Sequence, residues 1–165
     1  MIRYDEHTLQ KYLDALAARE PVPGGGSAAA VCGSLAAALI GMAARYSLGK
    51  NKPPETEKKL EAILKEADAA RVRLLELAGE DAQAYADTIT AKKENPAAYH
   101  EALKKAGAVP RDIIQTCLKV HEAVPFLMKE GNKYLVSDVH AADVLLKGAV
   151  AVADIMIEAN QAVVI

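Results

Sequence analysis

Apolar residues recur with a helical period along nearly the whole chain, and no stretch alternates as a half-buried strand would. In residues 5–18, Leu9, Tyr12, Leu13 and Leu16 fall at i, i+3, i+4 and i+7, which predicts an amphipathic helix with one apolar stripe. Asp5 or Thr8 supplies a cap for it. Pro21 ends it, because a residue before proline avoids the α region. Residues 27–48 predict a second helix of a different kind, with no charge from Ser27 to Ala44. A helix apolar on all sides is expected to be buried on all sides. Ala29, Gly33, Ala37 and Gly41 recur every four residues, a row over which a neighbouring helix can approach closely.

Residues 55–94 keep the helical period through Leu60, Ile63, Leu64, Ala67, Leu74 and Leu77. Gly79 is a place for a bend, and Asn95-Pro96 ends the segment. A short helix follows over 97–106 with Gly107 as its C-cap, and another starts with Pro110 in its first turn. Pro125 interrupts the pattern before Gly131, and Ser137 is placed to cap a last helix that runs to the end of the chain. The apolar end at 162–165 is expected to dock in the core or at a subunit interface. The pattern specifies an all-α, antiparallel bundle of five to six helices around a central Ala/Gly-rich buried helix, as one domain spanning 1–165.

Composition narrows the function classes. The 165 residues are enough for a real core. A net charge of −2 without a basic block argues against nucleic acid, which demands clustered Lys and Arg. The uncharged stretch from Ser27 is near the shortest length that spans a bilayer. Its Ala/Gly content and the closing Arg45 read instead as a bundle core, so no membrane association is expected. No secretory leader is visible, which points to the cytoplasm. Cys32 and Cys117 are expected to be reduced and buried, and the cysteines and four histidines lack metal-ligand spacing.

Three stretches carry candidate chemistry. The first is Pro21-Val22-Pro23-Gly24-Gly25-Gly26-Ser27, a stiff approach and a flexible turn ahead of a helix start. It is neither a Walker loop nor a dinucleotide fingerprint, since no Lys-Ser/Thr follows and no strand precedes. A connection between helices accounts for one glycine; three leave bare backbone beside unpaired amide donors. The second stretch holds Asn132, Ser137 and Asp138, an acid at a helix start that either completes the dipole or binds a polar ring. In the third, Asp81, Tyr85, Thr88 and Lys92 share one helix face, with Lys93 beside it. Such a face is either solvated or one wall of a polar site.

The order Pro-x-Pro-Gly-Gly-Gly-Ser, then Asp81-Ala82-Gln83-Ala84-Tyr85, then Asn132 and Ser137-Asp138, resembles the formiminotransferase-cyclodeaminase C-terminal domain family over about residues 5–160. The family often shows Asn-Val-x-Ile-Asn where this chain has Asp154-Ile155-Met156-Ile157-Glu158. The resemblance implies an all-helical homodimer acting on a tetrahydrofolate derivative without a metal. The expected reaction is hydrolysis of 5,10-methenyltetrahydrofolate to 10-formyltetrahydrofolate. The alternatives are formiminotetrahydrofolate cyclodeamination with release of ammonia, and a non-catalytic folate-binding or dimerisation module. It further implies that Asp81, Asp138, Lys92 and Lys93 serve catalysis or the folate carboxylates. Pro23, Gly24, Gly25, Gly26, Ser27, Tyr85, Asn132 and Ser137 would then form the substrate's surroundings.

Overall fold

The computed structural model describes residues 2–162, so the apolar end expected to dock lies almost wholly outside the described residues. Seven α-helices occur in it: α1 (Leu9–Ala17), α2 (Gly25–Ser47), α3 (Pro54–Glu94), α4 (Pro96–Ala106), α5 (Ala108–His121), α6 (Val124–Glu130) and α7 (Val136–Ala162). No strand occurs among the described residues, as the single helical period implied. The local signals act where expected. Thr8 caps α1 by accepting the Lys11 amide at 3.2 Å, and Asn95 caps α4 by accepting the Ala98 amide at 2.9 Å. Pro110 sits in the first turn of α5, and Pro125 starts the short α6 rather than kinking a longer helix. Ser137 does not cap α7, because the helix already begins at Val136.

The axis of the bundle is α2, with α3, α5 and α7 packed around it. The small-residue row makes that packing possible. A Cβ on Gly33 would sit 2.7 Å from the Cys117 sulfur of α5 and 3.3 Å from Leu74 of α3. A Cβ on Gly41 would meet Ala67 of α3 at 3.7 Å. Ile40, Leu60, Leu74, Leu77, Ile113 and Leu146 fill the spaces between and are fully buried. The expectation that α2 is buried on every side is not met. Leu35 is 56% and Tyr46 60% exposed, because three helices cover only three sides of α2. By length and composition α2 is also apolar enough to cross a membrane, yet 61% of its most apolar stretch is buried inside the bundle.

The 41 residues of α3 form one helix about 60 Å long. Gly79 does not interrupt it. Its missing Cβ makes room for the backbone oxygen of Ile2, which a side chain there would overlap. Alanine at 79 would favour the isolated helix by about 1 kcal/mol. The clash is with backbone, however, and backbone does not swing aside. Gly79→Ala is therefore expected to displace the segment around Ile2 and lower stability by about 1–3 kcal/mol in urea melts, against the helix preference.

Candidate active site at the start of α2

The chain enters α2 through an extended Gly24, after a cis Val22–Pro23 peptide with Pro23 buried. The first ladder bond of the helix is Ala28 N–H to the Gly24 carbonyl at 3.0 Å. The amides of Gly25, Gly26 and Ser27 thus lie outside the ladder, at the positive end of a 23-residue helix. None of the three glycines takes a positive φ; among the described residues only Gly49 and Asn51 do. Their use is space rather than backbone freedom. The position of a Cβ on Gly26 is filled by the Asp81 carboxylate. A Cβ on Gly25 would come within 3.1 Å of the Met156 sulfur, and nothing lies within 4 Å of one on Gly24.

Asp81 reaches this end of α2 from the middle of α3. Burial pushes its carboxyl up to about 6, partly opposed by the backbone amide of Ser27. The Ser27 hydroxyl, itself fully buried, lies 3.2 Å from the Tyr12 hydroxyl of α1. The Tyr12 phenol is raised by burial, and the Asp81 charge adds to the effect. Three helices therefore meet in one polar contact. Beside it opens a cavity of about 250 Å³ whose walls include the Gly24–Gly26 backbone, Asp81, Tyr85, Met156 and Asn160. A carboxyl that titrates near neutrality can take and return a proton, and free helix-end amides can hold an oxygen that gains negative charge.

The sequence-predicted residues divide into two groups. Gly24, Gly25, Gly26, Asp81 and Tyr85 line one cavity, with Ser27 directly behind and Pro23 buried at the same turn. The others are elsewhere. Lys92 lies eleven residues beyond Asp81, about 16 Å along α3, and its ammonium sits 5.6 Å from the centre of the Tyr99 ring. Lys93 is exposed beside it. Asn132 belongs to the opposite end of the bundle. Its amide donates to the Ser47 hydroxyl at 2.8 Å and its side chain to the Tyr46 carbonyl at 3.3 Å. The side chain also accepts the Tyr134 amide at 3.0 Å, so Asn132 fastens the approach to α7 onto the last turn of α2. Ser137 is exposed and Asp138 half-buried in the first turn of α7, at that same end. The 23 residues of α2 put about 33 Å between the two groups.

Asp154 and Glu158, the two acids that depart from the family pattern, are exposed and not among the walls of the Asp81 cavity. Asp154 instead borders a separate apolar groove with Cys117 and His121. The cavity also uses residues that sequence reasoning had read as packing or passed over. Tyr12 counted as one member of an apolar stripe, and its phenol gave no hint of a buried partner. Met156 and Asn160 are spaced i, i+4 on α7, a signal that becomes readable only when α7 is known to run antiparallel to α2. No three His, Cys, Asp or Glu side chains converge as a metal site among the described residues.

Comparison with known proteins identifies the family and the fold. Residues 8–164 match the family model described as formiminotransferase-cyclodeaminase. A methenyltetrahydrofolate cyclohydrolase from Methylorubrum extorquens is 32% identical, over 82% of this chain and 70% of that protein. A formimidoyltransferase-cyclodeaminase from Rattus norvegicus is 28% identical over 82% of this chain, which spans only 27% of that longer protein. A crystal structure of a formiminotetrahydrofolate cyclodeaminase from Thermotoga maritima superposes with a TM-score of 0.91 at 30% identity, covering 95% of this chain and 79% of that one.

Proposed function

This chain belongs to the formiminotransferase-cyclodeaminase family, and we propose that it is an enzyme of reduced folates that hydrolyses 5,10-methenyltetrahydrofolate to 10-formyltetrahydrofolate. The observation that carries the reading is the Asp81 carboxyl, pushed up to about 6 by burial, lying in the space left by Gly26 and accepting the Ser27 amide at the start of α2. The methenyl carbon sits between two nitrogens as a cationic amidinium and is electrophilic from the start. Catalysis then requires a placed water and a proton acceptor. In the reaction we assign, Asp81 takes one proton from water as its oxygen bonds to the carbon. The tetrahedral adduct collapses as the bond to N5 breaks. Asp81 returns its proton to N5, the adduct's hydroxyl proton leaves to solvent, and the carbon remains on N10 as a formyl group. The Gly25 and Gly26 amides would hold the adduct's oxygen as its hydroxyl proton leaves, when negative charge develops on it. Asp138, Asn132, Ser137, Lys92 and Lys93 take no part in these steps within one chain.

Cyclodeamination uses the same tetrahedral carbon, and the Thermotoga maritima neighbour favours it as the second reading. Two assays on the purified protein decide. Loss of methenyl absorbance faster than the spontaneous rate supports hydrolysis, and ammonia release from formiminotetrahydrofolate supports cyclodeamination. Neither activity would leave a non-catalytic role.

The same proposal includes a homodimer in the cytoplasm, which the two unpaired cysteines suit. The uncovered side of α2 at Leu35, Ala38 and Tyr46, with the exposed Leu9 and Leu13 of α1, supports self-association. Leu35→Glu is expected to shift the protein from dimer to monomer in light scattering at micromolar concentration. An unchanged mass would place the interface elsewhere.

A further inference from the structure

The cavity at Asp81 shares a wall with a second one. Asn160 lines both, and the second cavity, of about 200 Å³, lies where α4, α5 and α7 meet. Its polar walls are one-sided in charge: His100, Lys104 and Arg111 contribute, and no acid does. The arginine is set apart from most others in the chain. Arg3, Arg45, Arg71 and Arg73 all lie in ion pairs with acids, whereas Arg111 has no ion pair among the described residues, and neither does Lys104. The guanidinium of Arg111 lies over Gly107, where an added Cβ would meet it at 3.9 Å. Leu103 and Ile157 provide an apolar floor beside these cations.

Resting on the reading of the Asp81 site given above, we propose that this basic cavity is a specificity site for the substrate's carboxylate tail, with Arg111 and Lys104 as the residues that select it. Two observations support the assignment. The two cavities, of about 200 and 250 Å³, adjoin at Asn160, so a ligand longer than either one that is seated at Asp81 extends toward the basic walls. A reduced folate also has the matching layout, with a compact ring system that fits at Asp81 and an anionic glutamate at the far end. Unpaired cations over an apolar floor fit carboxylates linked to an aryl group, and a guanidinium takes a carboxylate with two parallel hydrogen bonds. Lys92 and Lys93, the lysines suggested by sequence for that role, are on the far part of α3 and line neither cavity.

The test compares two methenyl substrates, one with the glutamate and one ending at the benzoate, as in a tetrahydropteroate. For the unaltered protein the KM of the truncated substrate should be at least about tenfold higher, the scale of one or two charge-assisted hydrogen bonds. In the double variant Lys104→Gln, Arg111→Gln that ratio should fall to about one. Arg111→Lys should keep part of it, and rising salt should shrink it in the unaltered protein. A double variant that is folded by circular dichroism and still prefers the glutamylated substrate tenfold would overturn the proposal. If the unaltered protein hydrolyses neither substrate, the proposed function fails separately. The same comparison, read as calorimetric Kd for tetrahydrofolate and tetrahydropteroate, then decides the tail site alone.

Discussion

Asp81→Asn is expected to lower kcat by about 10²–10⁴-fold, the usual contribution of a positioned acid–base group, while raising the melting temperature. The two effects have one cause. In the unfolded chain the carboxyl titrates at its ordinary 3.8, and burial against Gly26 moves it to about 6 in the folded protein. The folded state thus holds the proton more tightly. The cost of burying the charge is absent below about pH 4, grows through the interval to about pH 6, and is complete above it. Stability from this site falls as pH rises across that window. A displacement from 3.8 to about 6 corresponds to about 3 kcal/mol, and the carboxyl's partial access to water reduces the expected gain to about 1–2 kcal/mol. Asparagine keeps the shape and an acceptor for the Ser27 amide without the charge. At pH 7.5 the variant should melt about 3–6 °C higher. Calorimetry and steady-state kinetics on one preparation check both effects. A variant that loses activity and stability together would mark Asp81 as a structural group.

Gly26→Ala should be nearly as damaging to turnover, by about 10²-fold, through displacement rather than loss of the carboxylate. The new methyl would claim the volume that the Asp81 oxygens occupy, so the side chain must turn away from the amides of α2. Position 26 has no left-handed backbone to protect, and alanine is the better helix former. The loss in kcat should therefore come with little loss of helicity. Gly24→Ala is the matched control, because no atom lies within 4 Å of a Cβ there. Gly24 lines the cavity proposed for the substrate, so the effect of the added methyl should fall on KM.

The contrast between Gly26 and Gly24 shows what the sequence made legible. The helices were readable because their apolar period, proline positions and caps are local signals, as Thr8 and Asn95 illustrate. The Pro-x-Pro-Gly-Gly-Gly-Ser turn and Asp81 were recognisable as chemistry. Their partnership was not, because it depends on the register between α2 and α3. The free side of α2 escaped notice for the converse reason: composition records how apolar a helix is, not how many neighbours the chain supplies. The lysines and Asp138 show a third limit. Lys92 shares a face with Asp81 by periodicity, yet 16 Å of helix separates them, since periodicity fixes direction and not reach. Asn132 and Asp138 follow the Gly-rich motif in sequence order but meet the other end of α2, where Asn132 holds the last turn in place. In contrast, Arg111 and Lys104 occupied unremarkable positions on short helices, and only the junction of α4, α5 and α7 brings them to the shared wall at Asn160.

We assign the role of proton acceptor in the reaction to one carboxyl, that of Asp81. The most direct test is the pH dependence of kcat/KM for methenyl hydrolysis between pH 4.5 and 8, corrected for the spontaneous rate. Activity is expected to rise with pH to a plateau, with a midpoint near 6, and the residual rate in Asp81→Asn is expected to lack this limb. An unaltered protein with no limb near 6, or an Asp81→Asn variant that keeps the same limb, would contradict it.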